Sequence, residues 1–322
     1  MRDKKTCDCS KNKFGTIAIH GLKNSKKRIY ATTVSDMVFR ELKNKNKLHS
    51  SFRNGMNLQG RKTLIFIGDD SQGELPFGIH LSYVDLRHLL SSAIANEFYF
   101  SKINKEIVCG NYIIDMSRAK LFSPKLSYEH TIEKDAIDML YSRLRKINFE
   151  NGLGITMEQM SSGENPLIIE LKRAILSDNT EDIKNLLFKI IGRGKGLTPS
   201  GDDILIGLIY LDHIKKFISE TFLQVLKEII SNYSLTTDIS KTYYFTAFSG
   251  LFSSMLLNLQ KAMVNKNINR IDLLIRKIIG YGHTSGRDIL SGIALGINII
   301  YSMKGGICLE NCNCSRRECL RK

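Results

Sequence analysis

The 322-residue sequence contains no run of apolar residues approaching the roughly eighteen that span a bilayer. Its opening, MRDKKTCDCSKNK, has none of the apolar core of a secretory signal. Together these absences predict a cytoplasmic protein with no membrane partner. Cysteine is nearly missing from the body of the chain: of seven, only Cys109 lies outside the two tails, which hold Cys7, Cys9, Cys308, Cys312, Cys314 and Cys319. The C-x3-C-x-C-x4-C spacing of the last four matches neither zinc-finger nor zinc-ribbon patterns. No metal is expected, and no motif asks for a cofactor.

A contiguous basic face is also lacking. The net charge of +15 is spread through segments such as KNKNK and KAMVNKNINR, where lysine alternates with asparagine and isoleucine. Nucleic-acid binding needs clustered positive charge, and usually stacking aromatics or a recognition motif. The chain shows none of these, so no nucleic-acid partner is expected.

What is present divides at about Pro124. Before it stand short runs rich in Ile, Val, Tyr, Phe and Thr, punctuated by Gly, Asn and Asp: FGTIAIHG, KRIYATTV, RKTLIFIGDD, PFGIHLSYV and KEIVCGNYIIDM. Such runs read as strands of a twisted sheet or small barrel. Helical stretches near 35–43 and 85–97 interrupt them, and HSSFRNGMNLQG (49–60) and GDDSQGELP (68–76) read as loops, with Asn57 either a turn residue or one that reaches a ligand.

Beyond Pro124 apolar residues recur at intervals of three and four, predicting helices near 129–147, 164–176, 180–190, 201–217, 220–232, 237–262, 268–279 and 286–303. The class is therefore α+β: a β-rich, small barrel-like domain over 13–125, then a larger all-α helical bundle over 126–305. Residues 1–12 and the Cys-rich basic stretch 306–322 read as tails.

One motif occurs twice. TPSGDDILIGLIYL from Thr198 and TSGRDILSGIALGI from Thr284 align without a gap from the serine onward, pairing Ser200 with Ser285, Gly201 with Gly286, Asp203 with Asp288 and Gly207 with Gly292. A serine followed three residues later by a carboxylate predicts a capping box at each helix start. The following residues are apolar nearly all round, so both helices should be buried. An internal glycine costs a helix about 1 kcal/mol, which is offset where another backbone must come close. The two helices are expected to pack together at Gly207 and Gly292.

Well-capped core helices would need nothing more. Yet glycines crowd both entrances, GRGKG before the first and GYGH before the second, together with Thr198, Asp202, His283 and Thr284. Converging amides and a helix dipole of roughly half a positive charge make such entrances anion sites. Brought together, they would form one pocket for a phosphate, carboxylate or carbamoyl group. Gly196, Thr198, Ser200, Gly201, Thr284, Ser285, Gly286 and Asp288 are the expected binding positions. Asp202, Asp203 and His283 are the candidates for polarisation or proton transfer, with Asp202 facing a ligand NH2. A third polar cluster, Thr236, Thr237 and Ser240 in TTDISKTYYFTAFSG, reads as the cap and first turn of another helix.

GLTPSGDDILIG, TTDISKTYYFTAFSG and GHTSGRDILSG, behind a β-rich half carrying HSSFRNGMNL, resemble the bacterial AllH family, subunits of the oxamate carbamoyltransferase of allantoin degradation. The resemblance covers about residues 14–303 and omits both cysteine tails. Arg193 and Lys195 depart from the family pattern, adding positive charge at the first entrance. The resemblance implies carbamoyl transfer between oxamate, as oxalurate, and carbamoyl phosphate, in purine-derived nitrogen catabolism. It also implies two larger partners, one an FdrA-like protein. A non-catalytic, small-anion-binding or scaffolding subunit of such an assembly is the alternative.

Overall fold

The computed structural model describes residues 26–71, 73–91, 96–127, 132–163 and 165–304. The run FGTIAIHG, both tails with their six cysteines, and the expected helix start near 129 lie outside these residues.

The N-terminal half contains β1 (Lys27–Ser35), α1 (Val38–Glu41), β2 (Lys45–Phe52), β3 (Gly55–Gln59), β4 (Leu64–Gly68), β5 (Gly78–Leu81), α2 (Tyr83–Ser91), β6 (Glu97–Ser101), β7 (Glu106–Cys109), β8 (Tyr112–Asp115) and β9 (Lys120–Phe122). Strands β1 to β8 close into a barrel in the order β5-β4-β3-β2-β6-β7-β8-β1, with β1 returning to β5. Two long strands make the closure. The first part of β1 pairs in parallel with β8 (Lys27 to Tyr30), and from Ala31 onward it pairs antiparallel with β5, with a register shift between Ala31 and Thr33. Strand β2 likewise pairs with β6 through Lys45–Lys47 and from Leu48 onward with β3, with a shift between Leu48 and Ser50. Irregularities of this kind bend a strand so that one sheet can curl onto itself. The interior is aliphatic, with Ile29, Val34, Met56, Leu58, Ile65, Ile67, Ile79, Ile107 and Ile114 buried.

The C-terminal half is helical: α3 (Lys134–Leu144), α4 (Met157–Ser162), α5 (Pro166–Leu176), α6 (Thr180–Ile190), α7 (Ser200–Ile214), α8 (Glu220–Asn232), α9 (Asp238–Phe248), α10 (Ser254–Val264), α11 (Ile268–Ile279) and α12 (Ser285–Lys304). The α+β class read from the sequence holds. At the centre, α7 is buried at every residue from Ser200 to Asp212, as its all-round apolar pattern requires. It packs along α12 at the paired glycines. A Cβ on Gly207 would lie 2.2 Å from the Ile289 carbonyl oxygen, and one on Gly292 would lie 2.1 Å from that of Ile204.

Two readings from sequence change. Residues 49–60 are not a loop but the β2–β3 hairpin, in which Ser50 opposes Asn57 and Phe52 opposes Gly55. The single helix expected over 237–262 is two, because the chain leaving the barrel takes the backbone groups between them. Phe252 N–H donates to the Pro124 carbonyl at 2.8 Å, Leu126 N–H donates to the Gly250 carbonyl at 3.1 Å, and Gly250 turns through φ +71°. Further bonds join barrel and bundle. Leu64 N–H donates to Thr242 Oγ1 at 3.1 Å, and Ser254 N–H donates to the Glu74 carbonyl at 2.9 Å.

Candidate functional site

The duplication is larger than the shared motif. In each copy a helix ends, a glycine loop turns back, and a second helix starts against the end of the first. A Cβ on Gly201 would stand 1.9 Å from the Ile190 carbonyl oxygen at the end of α6, and one on Gly286 would stand 1.6 Å from that of Ile278 at the end of α11. Gly201 N–H donates to Arg193 O at 2.8 Å, and Gly286 N–H to Tyr281 O at 3.1 Å. The two motif glycines are thus required by close approach of backbone, and neither lines the cavity described below.

The expected capping boxes do not form. Pro199 is the residue before α7 and makes no side-chain cap, so Ser200 is already the first helical residue. The first-turn amides are satisfied from the backbone: Asp202 and Asp203 N–H donate to Pro199 O at 3.0 and 3.2 Å, and Asp288 N–H to Thr284 O at 2.9 Å. These three amides are therefore taken, and the floor of the site is lined by hydroxyls.

The two helix starts open, as anticipated, into one cavity of about 1090 Å³ between bundle and barrel. Its floor carries Thr198, Ser200, Thr284 and Ser285. Thr198 Oγ1 and Ser285 Oγ, from opposite copies, are 2.8 Å apart. Gly152 presses on the other pair, for a Cβ there would meet Ser200 Oγ at 2.0 Å and Thr284 Oγ1 at 2.9 Å. Arg193, Lys195 and Gly196 on the first loop and His283 on the second are exposed and line the same space. Gly194 and Gly196 need φ of +116° and +105°, a region other residues rarely enter. The barrel supplies the opposite wall with Phe52, Phe66, Leu75 and Phe77, beside Asn54, Asn57 and Asp69. Asn57 sits buried in β3, its amide donating to Ser50 Oγ at 3.2 Å, and contributes to this wall as a strand residue.

The carboxylates stand behind the floor. The Ser285 and Thr198 hydroxyls lie beside Asp203, from α7, and those of Thr284 and Ser200 beside Asp288, from α12, so each carboxylate neighbours the threonine of its own copy and the serine of the other. Asp288 Oδ1 also accepts from Gly152 N–H at 2.7 Å. The Oδ2 atoms of both are buried without a hydrogen-bond partner among the described residues. Burial pushes the Asp203 carboxyl well above its usual range; the Ser285 hydroxyl opposes this, and the nearby charge of Asp288 adds to it. Asp288 is raised as well, again by burial, against the bond from Gly152.

Asp202 serves a different end from the one expected. Its Oδ1 accepts from Gly192 N–H at 3.0 Å and Tyr244 Oη at 3.1 Å, and its Oδ2 from the Thr236 hydroxyl. The carboxylate pins the first glycine loop to the start of α9 and does not line the cavity. The aligned residue of the second copy, Arg287, pins its own loop with opposite chemistry, donating to His283 O at 2.8 Å. Thr237 caps α9 as read from the sequence, accepting from Ser240 N–H at 3.0 Å, and its hydroxyl also donates to Leu197 O at 2.6 Å.

Sequence reasoning passed over four contributors. Gly152 and Leu153 reach the floor from the loop before α4; the NGLG run was the available signal. Tyr243 and Tyr281 form a wall, their hydroxyls 2.9 Å apart.

Residues 190–297 match the family described as oxamate carbamoyltransferase subunit AllH, and residues 30–121 match the AllH family N-terminal domain. The chain belongs to the AllH family. No solved structure matches it. The first matched segment holds both copies of the glycine loop and the tyrosine pair, and the second holds the phenylalanines of the opposite wall. The cavity is therefore built where the family's two matched regions meet, with Gly152 and Leu153 between them in the chain. The family description names a subunit, and so a multi-subunit enzyme. Among the described residues no helix is long and apolar enough to cross a membrane.

Proposed function

We propose that this chain is a subunit of an oxamate carbamoyltransferase-like assembly acting in purine-derived nitrogen catabolism beside an FdrA-like protein and a second large subunit. Its cavity holds the reacting small anions. The observation that carries the reading is the meeting of both duplicated loops at one hydroxyl floor under a rim of Arg193, Lys195 and His283. Transfer of a carbamoyl group between oxamate nitrogen and phosphate oxygen brings two acceptor-rich anions side by side, and a cavity of about 1090 Å³ lies just above the range of about 300–1,000 Å³ that encloses drug-sized ligands. Room for both at once suits a direct transfer.

The reaction asks mainly for positioning and for stabilisation of charge on the carbamoyl oxygen. Ser200, Ser285, Thr198 and Thr284 are the proposed donors to substrate oxygens. Arg193 and Lys195 offer charge to the phosphate. His283 is the proposed proton carrier for the oxamate nitrogen. Asp203 and Asp288 orient the serines of the opposite copy, and Asp202 keeps the first loop in place. Gly201 and Gly286 act through the packing that sets the loops.

The test is phosphate-dependent breakdown of oxalurate by the assembled subunits, with this chain wild type or carrying Ser200→Ala and Ser285→Ala together. Loss of two donors to developing charge is expected to lower kcat by about a hundredfold or more. Full activity in that variant, and also in His283→Ala, would replace this reading with that of a scaffolding subunit.

A further inference from the structure

Tyr243, from α9, and Tyr281, from the second glycine loop, meet through their hydroxyls at 2.9 Å and both face the cavity. Two phenols carry two protons, and their mutual bond uses one. Neither hydroxyl has another hydrogen-bond partner among the described residues, so one O–H is left to donate. Behind the pair lies a small pocket of about 40 Å³, walled mainly by apolar side chains such as Ile206, Ile278, Ile289 and Phe252. The cavity side is where an acceptor fits.

The rings are held before any ligand arrives. Phe77 of the barrel stands edge-on to Tyr243, with ring centroids 5.0 Å apart, and the neighbouring Tyr244 is tied to Asp202. Tyr281 is fixed by its backbone, donating to Ile278 O at 2.9 Å and accepting from Gly286 N–H at 3.1 Å. Burial raises both phenols, so they remain protonated donors at neutral pH.

We infer that the Tyr243–Tyr281 pair is a ligand-binding donor that takes the carboxylate end of the small anion on the hydroxyl floor. This rests on the proposed function above, which it refines by giving the substrate an orientation. A carboxylate accepts only, and the pair has a proton to give. The carboxylate of oxamate points to the tyrosines, and its carbamoyl end is left over the serines, where transfer takes place.

The experiment is calorimetric titration of the full-length chain with oxamate, acetate and inorganic phosphate, for wild type, Tyr243→Phe, Tyr281→Phe and the double variant. Phenylalanine keeps the wall, and melting curves check the fold. A hydrogen bond to a charged group removed without replacement predicts oxamate binding weaker by about tenfold or more in the double variant, with smaller losses in the singles. In the wild-type chain, oxamate should also perturb the near-ultraviolet absorption of tyrosine, a readout that needs no variant. If wild type and the double variant bind oxamate equally, the inference fails while the proposed function stands. If wild type ignores oxamate but binds acetate or phosphate, and the double variant loses that binding, the donor pair stands and the proposed substrate falls. If wild type binds none of the three, both fall.

Discussion

Replacing Gly207 by alanine sets two effects of opposite sign against each other. In an ordinary helix interior the change stabilises by about 1 kcal/mol. Here the new Cβ would lie 2.2 Å from the Ile289 carbonyl oxygen and close to the Gly292 Cα, 3.2 Å away. Both are backbone atoms of α12, so no side chain can swing aside. The two central helices must part by the order of an ångström, in an interior packed to crystal-like density. Overpacking of this kind costs about 1–3 kcal/mol, and rigid opposition favours the upper end. The net expectation for Gly207→Ala is a destabilisation of about 1–2 kcal/mol, read as a lower urea midpoint at unchanged slope. Gly292→Ala should behave alike, with its Cβ 2.1 Å from Ile204 O. The decisive measurement is the double variant. Once one methyl has separated the helices, the second meets less resistance, so the pair should cost less than the sum of the singles by at least about 0.5 kcal/mol. A single variant more stable than wild type, or strict additivity, would refute the idea that this contact sets the spacing of α7 and α12.

Two further predictions concern the floor. Asp203 and Asp288 have folded pKa values raised above the ordinary value of 3.8, so the folded chain holds protons that the unfolded chain has released. The unfolded state then binds fewer protons, and stability falls as pH climbs from the ordinary value toward the folded one, by up to about 1.4 kcal/mol per pH unit and per group. Asp203→Asn should therefore flatten the fall in melting temperature expected as wild type is taken from the ordinary carboxylate range upward in pH, and should leave the variant the more stable at the upper end. A wild-type curve that rises relative to the variant would show that the buried carboxyl is held charged. Gly152→Ala should separate binding from folding, because its Cβ would meet the Ser200 hydroxyl at 2.0 Å, and that hydroxyl can rotate. Stability should change by less than about 1 kcal/mol. Oxamate affinity should drop several-fold as Ser200 is turned from the cavity, and unchanged affinity would remove Gly152 from the site.

The legible part of this molecule was its periodicity. The all-round apolar runs after Ser200 and Ser285 announced buried helices, and Gly207 and Gly292 announced their contact, because a glycine in a helix interior is unfavourable unless something comes close. The break between α9 and α10 carried no comparable signal, since its cause is a strand-like pairing with Pro124 and Leu126, far away in sequence. The β2–β3 hairpin was hidden for a related reason. Its strand residues Ser50, Asn57 and Gly55 are polar or small, Asn57 where it lines the cavity and Gly55 where a Cβ would meet the Ile67 carbonyl oxygen and the Phe66 ring at 2.6 Å, so the usual alternation of a half-buried strand is absent.

The helix caps were misjudged by a shift of one residue. Read locally, a serine three positions before an aspartate is a cap, and a cap commits both side chains to their own helix. Because Pro199 already precedes the first helical turn, Ser200 and Asp203 are released from that duty, and with Gly207 and Gly292 holding the two helix starts together each finds its partner on the other copy. A lone copy of the motif keeps its threonine but has no second helix to supply the serine hydroxyl beside its aspartate. The crossed pairing thus makes the two halves of the duplication dependent on each other, and it explains why buried carboxylates persist at 203 and 288 despite the cost of burying them. The copies differ beside this pairing. Asp202 and Arg287 occupy equivalent positions, but Asp202 holds its loop to Thr236 and Tyr244 whereas Arg287 joins its own loop to the Glu150 carbonyl, and the loops differ in length between Ile190 and Gly201 and between Ile278 and Gly286. The serines and aspartates that meet across the pair are alike in both copies, so the cavity has a floor of matching hydroxyls beneath a rim with Arg193 and Lys195 on one side and His283 on the other.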